Sequence, residues 1–333
     1  MAEKKPKECW PIVYRKEYNV TFFGLEHLHP FDSKKWAHIY KILKNTLGLN
    51  QSNIYVPDEI TEDELLTIHS DKYLKSLKWS YVAARISEIP VVILFPNYLV
   101  QRQYLRPIRF QVGGTRLAGK IARKEGVAIN LGGGFHHSSK DRGGGFCPYA
   151  DISLVVNDAL QENDCKLVMI IDLDAHQGNG YERDFIGNSK VFIIDVFNKN
   201  IYPKDTYAET AISKAVKLDY FIQDYEYLTS VESALIESFV KVKPDFIIYN
   251  AGTDILKGDK LGLLSITPEA SNSQILVKGV IQRDEMVFKL AQQNNIPLVM
   301  LTSGGYHKST ANIIAASLQN LVQQGLVKPS QVE

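Results

Sequence analysis

Short, nearly uninterrupted apolar runs recur along this chain, and they constrain its fold more than any other feature. They are Val127–Leu131 (VAINL), Leu167–Leu173 (LVMIIDL), Val191–Val196 (VFIIDV), Phe246–Asn250 (FIIYN) and Pro297–Thr302 (PLVMLT). A strand wetted on one face alternates apolar and polar residues. Runs without that alternation suit strands buried on both faces, as in a parallel sheet. Amphipathic segments lie between them: Ser33–Leu47, Asn97–Glu125, Ile152–Gln161, Ser230–Val242 and Val280–Asn294. Strand then helix, repeated, predicts an α/β fold whose parallel sheet is covered by helices on both sides. No Pro/Gly/Ser linker, low-complexity tract or internal repeat divides the 333 residues. The expectation is one domain over 1–333.

Composition excludes several functions. Lys plus Arg (38) nearly balances Asp plus Glu (37), so the net charge is +1 and no basic field for nucleic acid is expected. Cys9, Cys147 and Cys165 are too few and too scattered for a disulfide framework, which suggests a reducing compartment. The polar opening MAEKKPKE lacks the apolar core of a signal peptide. The longest apolar run, Val91–Phe95 continuing to Val100, is broken by Pro96 and Asn97. It falls short of the roughly 20 residues needed to span a bilayer. A soluble intracellular protein is expected. Gly114-Thr-Arg-Leu-Ala-Gly119-Lys120 imitates a phosphate-binding loop, but Ile121 stands where that loop needs Ser or Thr. The segment also continues a helix instead of opening one after a strand.

Ligands of open parallel sheets bind beyond the carboxyl ends of the strands, and four of the predicted strands end in unusual polar residues. LVMIIDL runs into Asp172-Leu-Asp174-Ala-His176-Gln-Gly-Asn179. Alternating Asp172, Asp174 and His176 share one side of an extended segment. Two carboxylates and an imidazole on a buried face repel and stay desolvated unless a cation joins them. FIIYN leads to Asp254, which read alone serves equally as a helix N-cap. Beside Asp174 and His176 it completes three ligands, the usual protein share at catalytic zinc. VAINL continues through three glycines to His136 and His137, imidazoles suited to acid and base work. PLVMLT continues through Gly304 and Gly305 to Tyr306, whose hydroxyl can donate to a developing oxyanion.

The runs FHHSSKDRGGGFC, IDLDAHQGNG, AGTD and SGGY together resemble the signature blocks of zinc-dependent histone deacetylases. The opening WPIVYRKEYNVTFFGLEHLHPFD, with EIP, FPNYLVQR and LRPIR further on, is similar to the class IV branch. The resemblance runs from about Trp10 to about Leu326. It implies the three-layer α/β/α arginase/deacetylase fold and hydrolysis of acyl-lysine amides in proteins. Asp174, His176 and Asp254 match the zinc ligands, and His137 matches the base that takes a proton from the attacking water. His136 matches its companion, oriented by Asp172, and Asn179 the partner of His137. Tyr306 matches the tyrosine that polarises the scissile carbonyl. Gly145 and Phe146 match the wall around the acyl-lysine stem, with Tyr202 facing Phe146. A structural potassium near Asp172 and Asp195 is also implied. So are histones or other acylated proteins as partners in nucleus or cytoplasm, and the class IV branch implies long fatty acyl groups.

Two departures stand out. Asn179 replaces the Asp of class I enzymes, so His137 should be less basic than beside a carboxylate. Ala270–Lys278 (ASNSQILVK) reads as an inserted surface segment. Rival readings are a small-molecule deacylase of acylated polyamines, a binuclear manganese ureohydrolase of the same fold, and a scaffold that binds acyl-lysine without cleaving it. The ureohydrolase needs an acid where Gly178 stands, and the scaffold has no use for His137 and Tyr306.

Overall fold

The computed structural model describes residues 7–22, 24, 26, 32–162, 165–267 and 279–332. The segment 270–278 lies outside the described residues. The strands in chain order are β1 (Lys7–Cys9), β2 (Ile12–Val13), β3 (Val127–Asn130), β4 (Val168–Asp172), β5 (Val191–Asn198), β6 (Lys214–Leu218), β7 (Phe246–Asn250), β8 (Leu298–Leu301) and β9 (Ser330–Val332). β1 and β9 form an antiparallel ribbon, and the other seven form one parallel sheet in the order β2-β3-β8-β7-β4-β5-β6.

Period-two alternation divides each central strand between two apolar layers. Met169 and Ile171 of β4, Ile247 and Tyr249 of β7, and Leu298 and Met300 of β8 join one layer. It is closed by the helices Lys35–Leu47, Asp224–Lys241, Gly279–Gln293 and Thr310–Gln323. Val168, Ile170, Phe246, Ile248, Val299 and Leu301 face the other layer, under Arg106–Glu125 and Asp151–Leu160. Fully burying one such side chain contributes about 1.5–3 kcal/mol, so both faces of the sheet hold the fold together. This is the expected α/β/α arrangement of the arginase/deacetylase fold. Among the described residues, no helix is long and apolar enough to cross a membrane.

The phosphate-loop imitation falls inside the helix Arg106–Glu125. Gly114 there makes room for Tyr18, because a Cβ would stand 1.7 Å from its hydroxyl oxygen. That hydroxyl donates to Asn130 Oδ1 at 2.8 Å. The predicted segment Asn97–Glu125 is helical throughout but passes through a π turn at Gln101–Leu105. The turn precedes Pro107, which has no N–H to donate. Edge strand β6 and the helix Thr310–Gln323 were not anticipated. In β6 (KAVKL) the two lysines face outward and pair with Glu237 and Glu209, so it carries no continuous apolar run.

Candidate active site

The four strands that end in polar residues, β3, β8, β7 and β4, are consecutive neighbours. Their register aligns Asn130 with Leu301, Leu301 with Asn250, and Asn250 with Asp172. All four therefore stop at one level. The chain leaves each strand carrying chemistry: Gly132–His137, Ser303–Tyr306, Ala251–Asp254 and Leu173–Asn179.

Asp174, His176 and Asp254 are buried, and one ligand atom from each lies within 4.8 Å of the others. His176 turns Nδ1 to Asp254 Oδ2 at 2.8 Å and to Asp174 Oδ1 at 3.2 Å. The carboxylates are fixed from behind. Asp174 Oδ2 accepts from Ser303 Oγ (2.9 Å) and the Gly304 amide (3.1 Å), and Asp254 Oδ1 accepts from the Ala175 amide (2.9 Å). A Cβ on Gly304 would come within 2.4 Å of Asp174 Oδ2, so only glycine fits there. Burial and the charge of Asp174 push the Asp254 carboxyl upward. Burial would lower His176, but the two carboxylates outweigh it and hold its imidazole at about 10.

Beside it stands the histidine pair. Nδ1 of His136 lies 2.9 Å from Asp172 Oδ2. Nδ1 of His137 lies 2.8 Å from Asn179 Oδ1, while Asn179 Nδ2 donates to Asp205 Oδ2 at 3.2 Å. That second bond sets the amide orientation, so His137 donates from Nδ1 and leaves Nε2 open. Burial lowers both rings, but for His136 Asp172 and Asp174 reverse the sign and raise it to about 9. For His137 burial dominates, reinforced by the charges of His136 and His176, and the ring stays neutral, well below the usual imidazole range. Asp172 also accepts from the Tyr181 hydroxyl, the Asn250 amide and the Asp174 backbone. Behind it, Asp195 and Glu182 bring two more buried carboxyls together, and burial with the charge of Asp172 pushes Asp195 well above the usual carboxylate range.

Several supporting residues escaped the sequence reading. Asp151 accepts from the Gly134 and Phe135 amides, both at 2.8 Å, and from Thr115 Oγ1 at 2.7 Å, anchoring the glycine turn that delivers both histidines. Gly134 needs its left-handed φ of 79° there. Asp151→Asn turns amide hydrogens toward some of these donors and is expected to lower stability by about 2–3 kcal/mol. A denaturant titration with an unshifted midpoint would show that the turn holds without the carboxylate. Lys35 is buried, and its ammonium donates to the carbonyls of Thr302, Ser303 and Gly304 under the last loop. Arg283, also buried, donates from Nη1 to Leu173 O and Gly252 O, next to two candidate ligands. Both carried a signal: Lys35 shares the apolar stripe of Trp36, Ile39 and Leu43, and Arg283 that of Val280, Val287 and Ala291. A charge on a buried stripe demands a buried partner.

Tyr306 ends the last loop, with its amide donating to Asp259 Oδ2 at 2.7 Å. Burial and the nearby carboxylates Asp174 and Asp254 push its hydroxyl well above the usual phenol range, so it keeps its proton. Its ring lies edge-on to Phe146, with centroids 6.0 Å apart. Tyr202 lies edge-on to His137 at 4.9 Å. Gly145 fills the gap, since a Cβ there would meet His137 at 2.4 Å and Tyr202 at 3.1 Å. One cavity of about 130 Å³ touches His136, His137, Asp174, Tyr306, Gly145 and Phe146. Trp36, Ile89, Tyr104, Ile108 and Phe135 add apolar lining to the same cavity.

A buried three-ligand cluster, a histidine pair of opposed protonation and a tyrosine hydroxyl on one cavity compose a hydrolytic centre. The histone deacetylase domain, as a family model, matches residues 29–322. The chain belongs to the histone deacetylase family. It is accordingly a lysine deacetylase, a hydrolase of amide bonds. Histone deacetylase 2 of Arabidopsis thaliana is 49% identical over 317 residues, 95% of this chain and 80% of that protein. The crystal structure of the HDA15 HD domain superposes with a TM-score of 0.74 at 20% identity, covering 95% of this chain and 88% of that one. A histone deacetylase homologue complexed with SAHA gives 0.71 at 18% identity, covering 97% and 84%. Those two show the fold.

Proposed function

We propose that this enzyme, a single catalytic domain of the class IV type, removes acyl groups from lysine side chains of proteins and favours fatty acyl over acetyl. The carrying observation is the cavity that joins the reactive groups to an apolar interior. Its volume holds roughly ten waters at about 10–15 Å³ each, far more room than the two carbons of an acetyl group need.

Zinc fits the residues present. One imidazole nitrogen and two carboxylate oxygens, close together and buried, make a three-ligand N/O set that leaves a position open. Asp174, His176 and Asp254 would hold it, and the bound ion would supply Lewis acidity toward the amide carbonyl and toward water. In our reading His137 accepts the proton of the attacking water at Nε2. Its neutral partner Asn179 supports the ring less than a carboxylate would, while burial and the charges of His136 and His176 lower its basicity. His136, charged beside Asp172, holds a proton for the departing amine. Tyr306 donates to the oxyanion. Gly145 and Phe146 flank the lysine stem, and Tyr202 braces His137 from the other side. A structural potassium suits the buried carboxyls gathered at Asp172 and Asp195, with Glu182 beside them. Histones or other acylated proteins of nucleus and cytoplasm are the substrates this reading expects.

Acetyl-, octanoyl- and myristoyl-lysine in one peptide test the acyl preference through kcat/KM. Two buried methylenes already contribute about 1.6 kcal/mol, so the long chains should lead by roughly tenfold or more. Equal values, or an acetyl preference, would return the enzyme to ordinary deacetylation. Faster turnover of an acylated polyamine than of any peptide would make it a small-molecule deacylase.

A further inference from the structure

We propose that a cationic cleft beside the catalytic histidine binds an acidic group of the substrate protein, a carboxylate or a phosphate flanking the acyl-lysine. The inference rests on the deacylase reading above and names its substrate class more closely. The cleft, about 430 Å³, is lined by Arg85, Arg142, Arg183, Lys204, Tyr202 and Asp205, and His137 and Asn179 reach its floor. Four cations therefore face one carboxylate. That carboxylate is already engaged: Asp205 accepts from Arg183 at 2.7 and 2.5 Å, from Asn179 at 3.2 Å and from the Ala208 amide at 3.2 Å. Arg142 reaches it only at 3.4 Å, with its side chain half exposed. Arg85 and Lys204 are exposed and make no ion pair among the described residues. Glu88 acts on Tyr202 from nearby but does not line the cleft.

Like charges gathered in a concave site repel one another unless an anion joins them, and guanidinium forks match carboxylate and phosphate geometry. The net charge of +1 argues against the broad basic field that a nucleic-acid surface needs. His137 borders both this cleft and the acyl cavity, with Gly143, Gly144 and Gly145 forming the wall between them. A group held in the cleft thus lies beside the residue that works on the lysine, as a neighbouring side chain of the same substrate segment would.

The test uses the whole metal-loaded protein and peptides that differ only beside the acyl-lysine: Gln, Glu, Ser or phosphoserine. The Glu and phosphoserine peptides should exceed their neutral counterparts in kcat/KM by roughly tenfold, the scale of one charge-assisted hydrogen bond. The ratio should collapse toward one in the Arg85→Gln/Arg142→Gln variant and shrink as salt rises. A ratio near one in the wild type, or one untouched by the double substitution, overturns the proposal. Fluorescence anisotropy with the same peptides carrying unmodified lysine separates this result from the deacylase reading. If no acyl-lysine is hydrolysed, tighter binding of the acidic peptides that the double variant loses still supports the cleft. Equal binding of acidic and neutral peptides overturns it, and so does displacement by millimolar inorganic phosphate without any preference among peptides.

Discussion

Replacing Asp254 by Ala is expected to strip zinc from the purified protein and abolish hydrolysis, and Asp174→Ala and His176→Ala should do the same. Each removes one of three groups whose ligand atoms converge within 4.8 Å. Partners that only orient a ligand typically cost 10–100-fold when removed, so loss of a ligand itself should exceed that range. The neighbours amplify the effect at Asp254, because the buried Ala175 amide loses its acceptor. Metal content by mass spectrometry, read beside kcat, decides the matter. Full zinc occupancy in Asp254→Ala would remove that residue from the site.

The next largest effects should come from variants that keep the metal. Tyr306→Phe removes a hydroxyl whose proton burial secures, and His137→Ala removes the one imidazole of the pair that is held neutral. Both interactions strengthen only as charge develops, so kcat should fall by roughly 10²–10⁴ with little change in KM. The zinc content of both proteins should equal that of the wild type. A Tyr306→Phe enzyme with normal kcat and a raised KM would make the hydroxyl a positioning group and leave the oxyanion without its donor. Normal turnover by His137→Ala would transfer the base role elsewhere, with His136 the nearest imidazole at 4.0 Å between ring centroids.

The strands and their polar ends are legible in the sequence for a physical reason. A strand buried on both faces has no choice but to be apolar at every position. Asp172 at the end of LVMIIDL, or Asn250 at the end of FIIYN, therefore marks where the apolar layers give way to a buried polar site. The helices with continuous amphipathic stripes are legible by the same argument. Elements that satisfy their backbone without a strong apolar pattern are not. β6 lies at the sheet edge with outward lysines, and β2 has two residues.

The α/β class, the parallel sheet and the polar residues at the strand ends are all written in the residue order. That β3, β8, β7 and β4 are neighbours ending at one level emerges only on packing, since each strand's composition says that it is buried but not which strand it pairs with. The contact of Tyr202 with His137 is likewise a tertiary outcome, because a loop's path depends on what it packs against. The carbonyls that Lys35 and Arg283 bind lie 267–269 residues away for Lys35 and 110 and 31 away for Arg283. A buried charge announces that it needs a partner, but the partner's identity is a property of the packed chain.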